Sequence, residues 1–111
     1  MSEWSGFQSF TEQAVSKVGT ISGVYKLAVD KDATNVRVFY VGESENLRDR
    51  LLSHLSSNES NKCIKEKLRQ PCYFSYIEVA GGRDARRKIE QEKLNHYWGQ
   101  GDAECNEKNP T

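Results

Sequence analysis

Two tyrosines, an arginine and a histidine have the types and spacing to handle a phosphate ester. Tyr25 lies in a run of β-forming residues, Gly23 to Val29, and Tyr40 in a second run, Val36 to Gly42. Arg50 and His54 follow four residues apart, in a segment with Leu47, Leu51 and Leu55 at helical spacing, so they stack one turn above each other. If the two strands pair with both phenols on one face, two phenols, a guanidinium and an imidazole converge. Phosphodiester hydrolysis asks for a base to take a proton from water, donors for the non-bridging oxygens and a partner for the leaving oxygen. Guanidinium is always charged and offers a fork that fits phosphate oxygens. A phenol, with an ordinary pKa of about 10, serves as a base near neutrality only if cationic neighbours or a metal lower it. Each residue also has a plainer reading. Tyr25 and Tyr40 would pack on a sheet, Arg50 would pair with Glu43 or Glu90 on the surface, and His54 would sit on an exposed helix face.

The elements that must position these groups read as follows. Phe7, Phe10, Ala14, Val15 and Val18 predict a packing helix over residues 7–18, with Gly19 as its stop. The two strands, joined by the polar Asp30–Asn35 stretch, predict an antiparallel hairpin. Ser44 or Asn46 caps the helix carrying the leucine stripe. Ser56–Asn61 is a polar break, Ile64–Arg69 a short helix ending before Pro71, and Cys72–Val79 a third strand closed by Gly81-Gly82. A last helix starts at about Asp84 and runs to Trp98, and the polar tail is Gly101–Thr111. The expected fold is α/β, or α+β in strict terms: a small, mainly antiparallel three-stranded sheet flanked by helices, with no Gly-rich phosphate loop.

A chain of 111 residues with 36% apolar content is expected to form one domain, residues 1–111. No apolar run is long enough to span a bilayer, and the first residues lack a secretory leader, so no membrane association and a cytoplasmic location are expected. Cys63, Cys72 and Cys105 are odd in number and widely spaced, which predicts reduced thiols. A zinc site built from them with His54 or His96 lacks paired ligand spacing. Lys and Arg balance Asp and Glu at 16 each, so net charge gives nucleic-acid binding no support. Locally, Lys62, Lys65, Lys67 and Arg69, then Arg83, Arg86, Arg87 and Lys88, form basic clusters.

Gly23-Val24-Tyr25 and Tyr40-Val41-Gly42, followed in order by Leu47-Arg48-Asp49-Arg50-Leu51, His54, a late glutamate and Cys105-Asn106, resemble the ordered motifs of the GIY-YIG nuclease family. The likeness runs from about Gly23 to Asn106. It is nearest to the amino-terminal incision domain of bacterial excision repair, especially over Tyr40 to Leu51. The resemblance implies a metal-dependent endonuclease acting on DNA, with Tyr25 as general base and Arg50 on the scissile phosphate. It adds Tyr40 and His54 to the catalytic set, and Gly42, Arg48 and Asn106 as bracing or substrate-binding positions. It also implies a single divalent ion, Mg2+ or Mn2+, on a glutamate of the last helix. Glu90 is preferred because Glu90, Leu94 and Tyr97 match the family's spacing, and Glu92 lies about 200° further round. The approach to Asn106 is longer than in the repair relatives, which leaves Asn109 as a substitute. Glu43 stands where they carry lysine, and would repel phosphate unless paired. With no attached recognition module, a homodimer or a partner protein is expected to direct targeting. The rival reading is a weak or inactive nuclease fold that binds nucleic acid or a protein.

Overall fold

The computed structural model describes residues 3–56 and 59–106. Its elements are β1 (Gln8–Ser9), α1 (Glu12–Val15), β2 (Gly23–Asp30), β3 (Val36–Ser44), α2 (Leu47–Leu55), α3 (Lys62–Lys67), β4 (Cys72–Glu78) and α4 (Arg83–Gly99). The strands form one antiparallel sheet in the order β1-β4-β2-β3. The fold is thus a mixed α/β domain, as expected, with a fourth strand added at one edge. β2 is central and buried from Gly23 to Val29, because helices cover both faces.

The expected helix over 7–18 is replaced by two-residue β1 and one-turn α1. β4 would otherwise expose an open edge, and the N-terminal backbone closes it. Gln8 and Ser9 pair with Phe74 and Tyr73, Ser5 N–H donates to Tyr76 C=O, and Phe10 N–H donates to Cys72 C=O. The apolar residues that suggested a long helix still reach the core at Phe10, Val15 and Val18, but Phe7 is exposed. Thr11 then caps α1 by accepting from Ala14 N–H.

Two apolar layers sandwich the sheet. Tyr25, Leu27, Phe39, Leu47, Leu51, Ile64 and Phe74 pack on the α2 side. Val24, Ala28, Val38, Val41 and Leu94 pack on the α4 side. A β-bulge between Leu27 and Ala28 of β2 sets two β3 residues against one: Leu27 pairs with Tyr40 and Ala28 with Val38, leaving Phe39 unpaired. As a result the successive residues Phe39 and Tyr40 both join the α2-side layer, where strict alternation would separate them.

Of the two expected caps it is Asn46, not Ser44, that caps α2, accepting from Asp49 N–H. α3 starts two residues early because Asn61 caps it by accepting from Ile64 N–H. Asp84 lies inside the first turn of α4, whose cap is Gly82. Gly81 and Gly82, at φ of +101° and +88°, make the turn that L-residues with side chains resist. Ser57 and Asn58 of the polar break, and Asn109 with the rest of residues 107–111, lie outside the described residues.

The described part of the tail is pinned in place. Ala103 and Cys105 donate their N–H groups to Val38 and Phe39 C=O along the free edge of β3. The thiol expectation is overturned here: Cys63 and Cys105 form a disulfide across 42 residues of sequence, and only Cys72 is a free thiol. Odd count and wide spacing hid a pair that meets only because the tail returns past α3. The bond withdraws both sulfurs from any zinc site. Among the described residues no helix is long and apolar enough to cross a membrane.

Candidate functional site

β2 and β3 set the register on which the site depends. Tyr25 faces Gly42 and Leu27 faces Tyr40 across the ladder, so the two tyrosines lie diagonally on one face with ring centroids 6.1 Å apart. Gly42 makes this possible. A Cβ at position 42 would stand 2.3 Å from Tyr25 Oη, so the phenol occupies the space a side chain would need. Tyr25 is fully buried and Tyr40 half-buried.

α2 brings the next two groups. Its stripe of Leu47, Leu51 and His54 faces the core, and His54 has no exposed surface, which rules out the helix-surface reading. His54 Nε2 lies 2.6 Å from Tyr25 Oη, and the imidazole packs 5.4 Å from the Tyr40 ring. His54 Nδ1 forms a short hydrogen bond with Glu59 Oε2, and Glu59 Oε1 accepts from Asn61 N–H at 2.9 Å. Glu59 and Asn61 were not singled out in the sequence. Both sit in a polar break whose composition reads as loop, and no spacing links an acid five residues past a helical histidine to that histidine.

Arg50, one turn before His54, is exposed and makes no ion pair among the described residues. Its surface-pair reading therefore fails. Glu43 pairs instead with buried Arg86 at 2.7 Å and with Arg83 at 3.9 Å. Glu43 is thereby paired, and Arg86 is lost from the basic face expected around Arg83–Lys88. Arg50 hydrogen-bonds Ser53 Oγ at 3.4 Å. Burial works to lower the Arg50 pKa, but contact with the Tyr25 and Tyr40 phenols outweighs it and leaves the pKa raised.

The same neighbourhood tunes the other groups. Burial, with the Tyr40 phenol beside it, pushes Tyr25 well above the usual phenol range, although Arg50 pulls the other way. Arg50 thus fails to make Tyr25 a phenolate. Glu90 also raises Tyr25, so the α4 carboxylate is felt at the phenol. Burial and Arg50 hold His54 below its ordinary value of 6.5 against the opposing pull of Glu59. Burial would raise the Glu59 carboxyl, but Asn61 N–H, His54 and Arg50 together bring it below the usual range.

A neutral, buried His54 ties stability to pH. The unfolded imidazole titrates near 6.5 and the folded one lower, so between the two values the unfolded chain binds the extra proton. The contribution is complete above pH 6.5 and is lost as pH falls towards the folded pKa, at about 1.4 kcal/mol per pH unit. Urea denaturation across this window is expected to show a steeper pH slope for the wild type than for His54→Gln. Equal slopes would mean that His54 is not held neutral.

On α4, Glu90 is half-buried and Glu92 exposed. Burial and the Glu43 carboxylate raise the Glu90 pKa, with Arg87 and Arg83 opposing. Among the described residues no three His, Cys, Asp or Glu side chains are grouped as a metal cage. Asn106 makes a two-point clamp on β3: Val41 N–H donates to Oδ1 and Nδ2 donates to Val41 C=O, both at 2.8 Å. The structure brings Tyr25, Tyr40, Gly42, Arg50, His54 and Asn106 to one stretch of β3 and its covering helix, with Glu90 within electrostatic range. Arg48 is the exception. Two residues from Arg50, it projects about 160° away round the helix, and no described contact ties it to the cluster.

No protein-family model, curated protein or solved structure matches the chain.

Proposed function

We propose that the chain is a metal-dependent nuclease of the GIY-YIG type that hydrolyses phosphodiester bonds in DNA. The observation that carries this reading is the convergence of a guanidinium on two phenols, one of them hydrogen-bonded to a carboxylate-backed imidazole. Such a set has little use in a packed core and suits a reaction in which a proton leaves water while negative charge builds on phosphate.

The chain's own groups divide the work. The exposed Arg50 fork takes two non-bridging oxygens, and the half-buried Tyr40 hydroxyl supports the same phosphate. Water attacks phosphorus, forming a new P–O bond as the bond to the leaving oxygen breaks. The water's proton passes to Tyr25 Oη while Tyr25 releases its own to His54 Nε2, and the leaving alkoxide takes a proton from solvent. This relay removes the difficulty of the high Tyr25 pKa, since the phenol never needs to persist as a phenolate.

Mg2+ or Mn2+ fits Glu90. A half-buried carboxylate beside a second carboxylate gains from a cation, and a hard ion with one protein ligand keeps its waters. When bound, such an ion supplies positive charge against the phosphate and the leaving oxygen. Arg83, Arg87 and Lys88 are exposed on the first turns of α4 and suit the DNA backbone beside it. A second copy of the chain or a partner protein would direct the enzyme to its target.

Supercoiled plasmid incubated with the protein and Mg2+ or Mn2+ is expected to be nicked or cut. Chelation and Glu90→Ala should each abolish the reaction. Cutting that survives both would remove the metal assignment. Binding without cutting would favour the second reading, a nucleic-acid or protein-binding module, and the zero net charge lends weight to a protein as what it holds.

A further inference from the structure

We propose that Glu59 is a positioning residue that fixes the His54 tautomer and so leaves His54 Nε2 free to accept the Tyr25 proton; its purpose rests on the nuclease reading above.

The case starts from donors and acceptors. An ionised carboxylate only accepts hydrogen bonds, so the hydrogen between Glu59 Oε2 and His54 belongs to Nδ1. A neutral imidazole with hydrogen on Nδ1 has a lone pair on Nε2. The 2.6 Å contact to Tyr25 is then a bond in which the phenol donates. Tyr25 Oη keeps two lone pairs, one of them turned to Arg50, so that one can still accept a proton. Proton flow from water to phenol to imidazole therefore has the right direction at every step, and the imidazolium formed is held against a carboxylate.

Glu59 is itself constrained. The residue is 8% exposed, and its other oxygen accepts from Asn61 N–H, a backbone donor that cannot reverse its role. Asn61 is anchored in turn: its side chain accepts from Ile64 N–H and donates to Cys105 C=O. The carboxylate is held from behind by α3 and the C-terminal segment. A buried acid serving only stability would not need to end on the imidazole that meets the one fully buried phenol of the cluster.

Glu59→Gln makes a specific prediction. The amide oxygen must face Asn61 N–H, because turning the amide round would oppose two donors. Its NH2 group then faces His54 Nδ1, which has to become the acceptor, and the hydrogen moves to Nε2. His54 would donate to Tyr25 and could no longer receive from it. Shape, volume and the hydrogen-bond count are all kept, while the direction of the relay reverses.

The test reads the tautomer and the chemistry separately. In 15N-histidine-labelled protein near pH 7.5, one-bond and long-range 1H–15N correlations are expected to show His54 protonated on Nδ1 in the wild type and on Nε2 in Glu59→Gln. On plasmid with Mg2+, the variant should lose kcat at least ~100-fold with KM little changed, as expected when an imidazole is held in the wrong tautomer. Glu59→Asp, which keeps the charge, should recover part of it. A wild type protonated on Nε2 overturns the assignment without any variant. So does a Glu59→Gln protein that keeps Nδ1–H, or one that switches tautomer with unchanged kcat. If the tautomers behave as stated but the wild type cuts nothing under any metal condition, the Glu59 assignment is supported and the nuclease reading alone is ended.

Discussion

Replacing Arg50 with alanine is expected to lower plasmid cleavage about a thousandfold while leaving the thermal midpoint almost unmoved. The two halves of that expectation have separate physical grounds. Arg50 is exposed, makes no ion pair among the described residues, and holds a long hydrogen bond to Ser53 at 3.4 Å, so its contacts with the two phenols are the main ones lost. Its removal from an exposed helix position, where alanine is the better helix former, should shift stability by less than ~1 kcal/mol. In the reaction the same guanidinium faces charge that grows as the new P–O bond forms. A thousandfold corresponds to about 4 kcal/mol, the size of one such donor lost from a partly desolvated site. Arg50→Lys should recover little, since an ammonium cannot reproduce the two-oxygen fork. Parallel losses of midpoint and cleavage would make Arg50 structural, and full cleavage by the alanine variant would remove it from the site.

How far the sequence disclosed this arrangement differs by element. The hairpin, the leucine-striped helix, the strand at Cys72 and the long closing helix all carry strong local periodicity, and they stand where the patterns put them. So does the meeting of Tyr25, Tyr40, Arg50 and His54, because strand pairing and a four-residue helical step are short-range geometry. What escaped depends on contacts far apart in the chain. Phe7, Phe10 and Val15 have helical spacing, yet an unpaired edge on β4 outbids a helix for the backbone of residues 8 and 9. The bulge that sends both Phe39 and Tyr40 to one face leaves no mark in composition. Glu59 reads as one more polar residue in a loop until the loop folds back under His54. Glu43 looked like a defect in a phosphate site until Arg86, 43 residues away, closed on it. Long-range partners of charged groups are what a single sequence hides best.

Removing the Cys63–Cys105 disulfide should have an effect of similar size on a different quantity. Constraining a loop of 42 residues in the unfolded chain is worth about 4 kcal/mol in the chain-entropy account. Cys63→Ser with Cys105→Ser, or reduction of the wild type, should therefore lower the free energy of unfolding in urea by roughly that amount, with the m-value rising as the unfolded state expands. The bond also has a local consequence. Cys105 C=O receives the Asn61 side chain, and Asn106 next to it clamps Val41 at both N–H and C=O. The segment seals the free edge of β3 beside Gly42, with Arg37 pairing to Asp102 and Glu104, and Lys67 to Glu104. These contacts survive in principle without the disulfide, so the reduced protein should stay folded under native conditions and keep the backbone protection of β2 and β4. The amides of Val41, Ala103 and Cys105 are expected to be the first to exchange faster with solvent. Uniform loss of protection across the whole sheet would show that the bond holds the global fold, and no change in urea midpoint on reduction would show that the two sulfurs are not joined in solution.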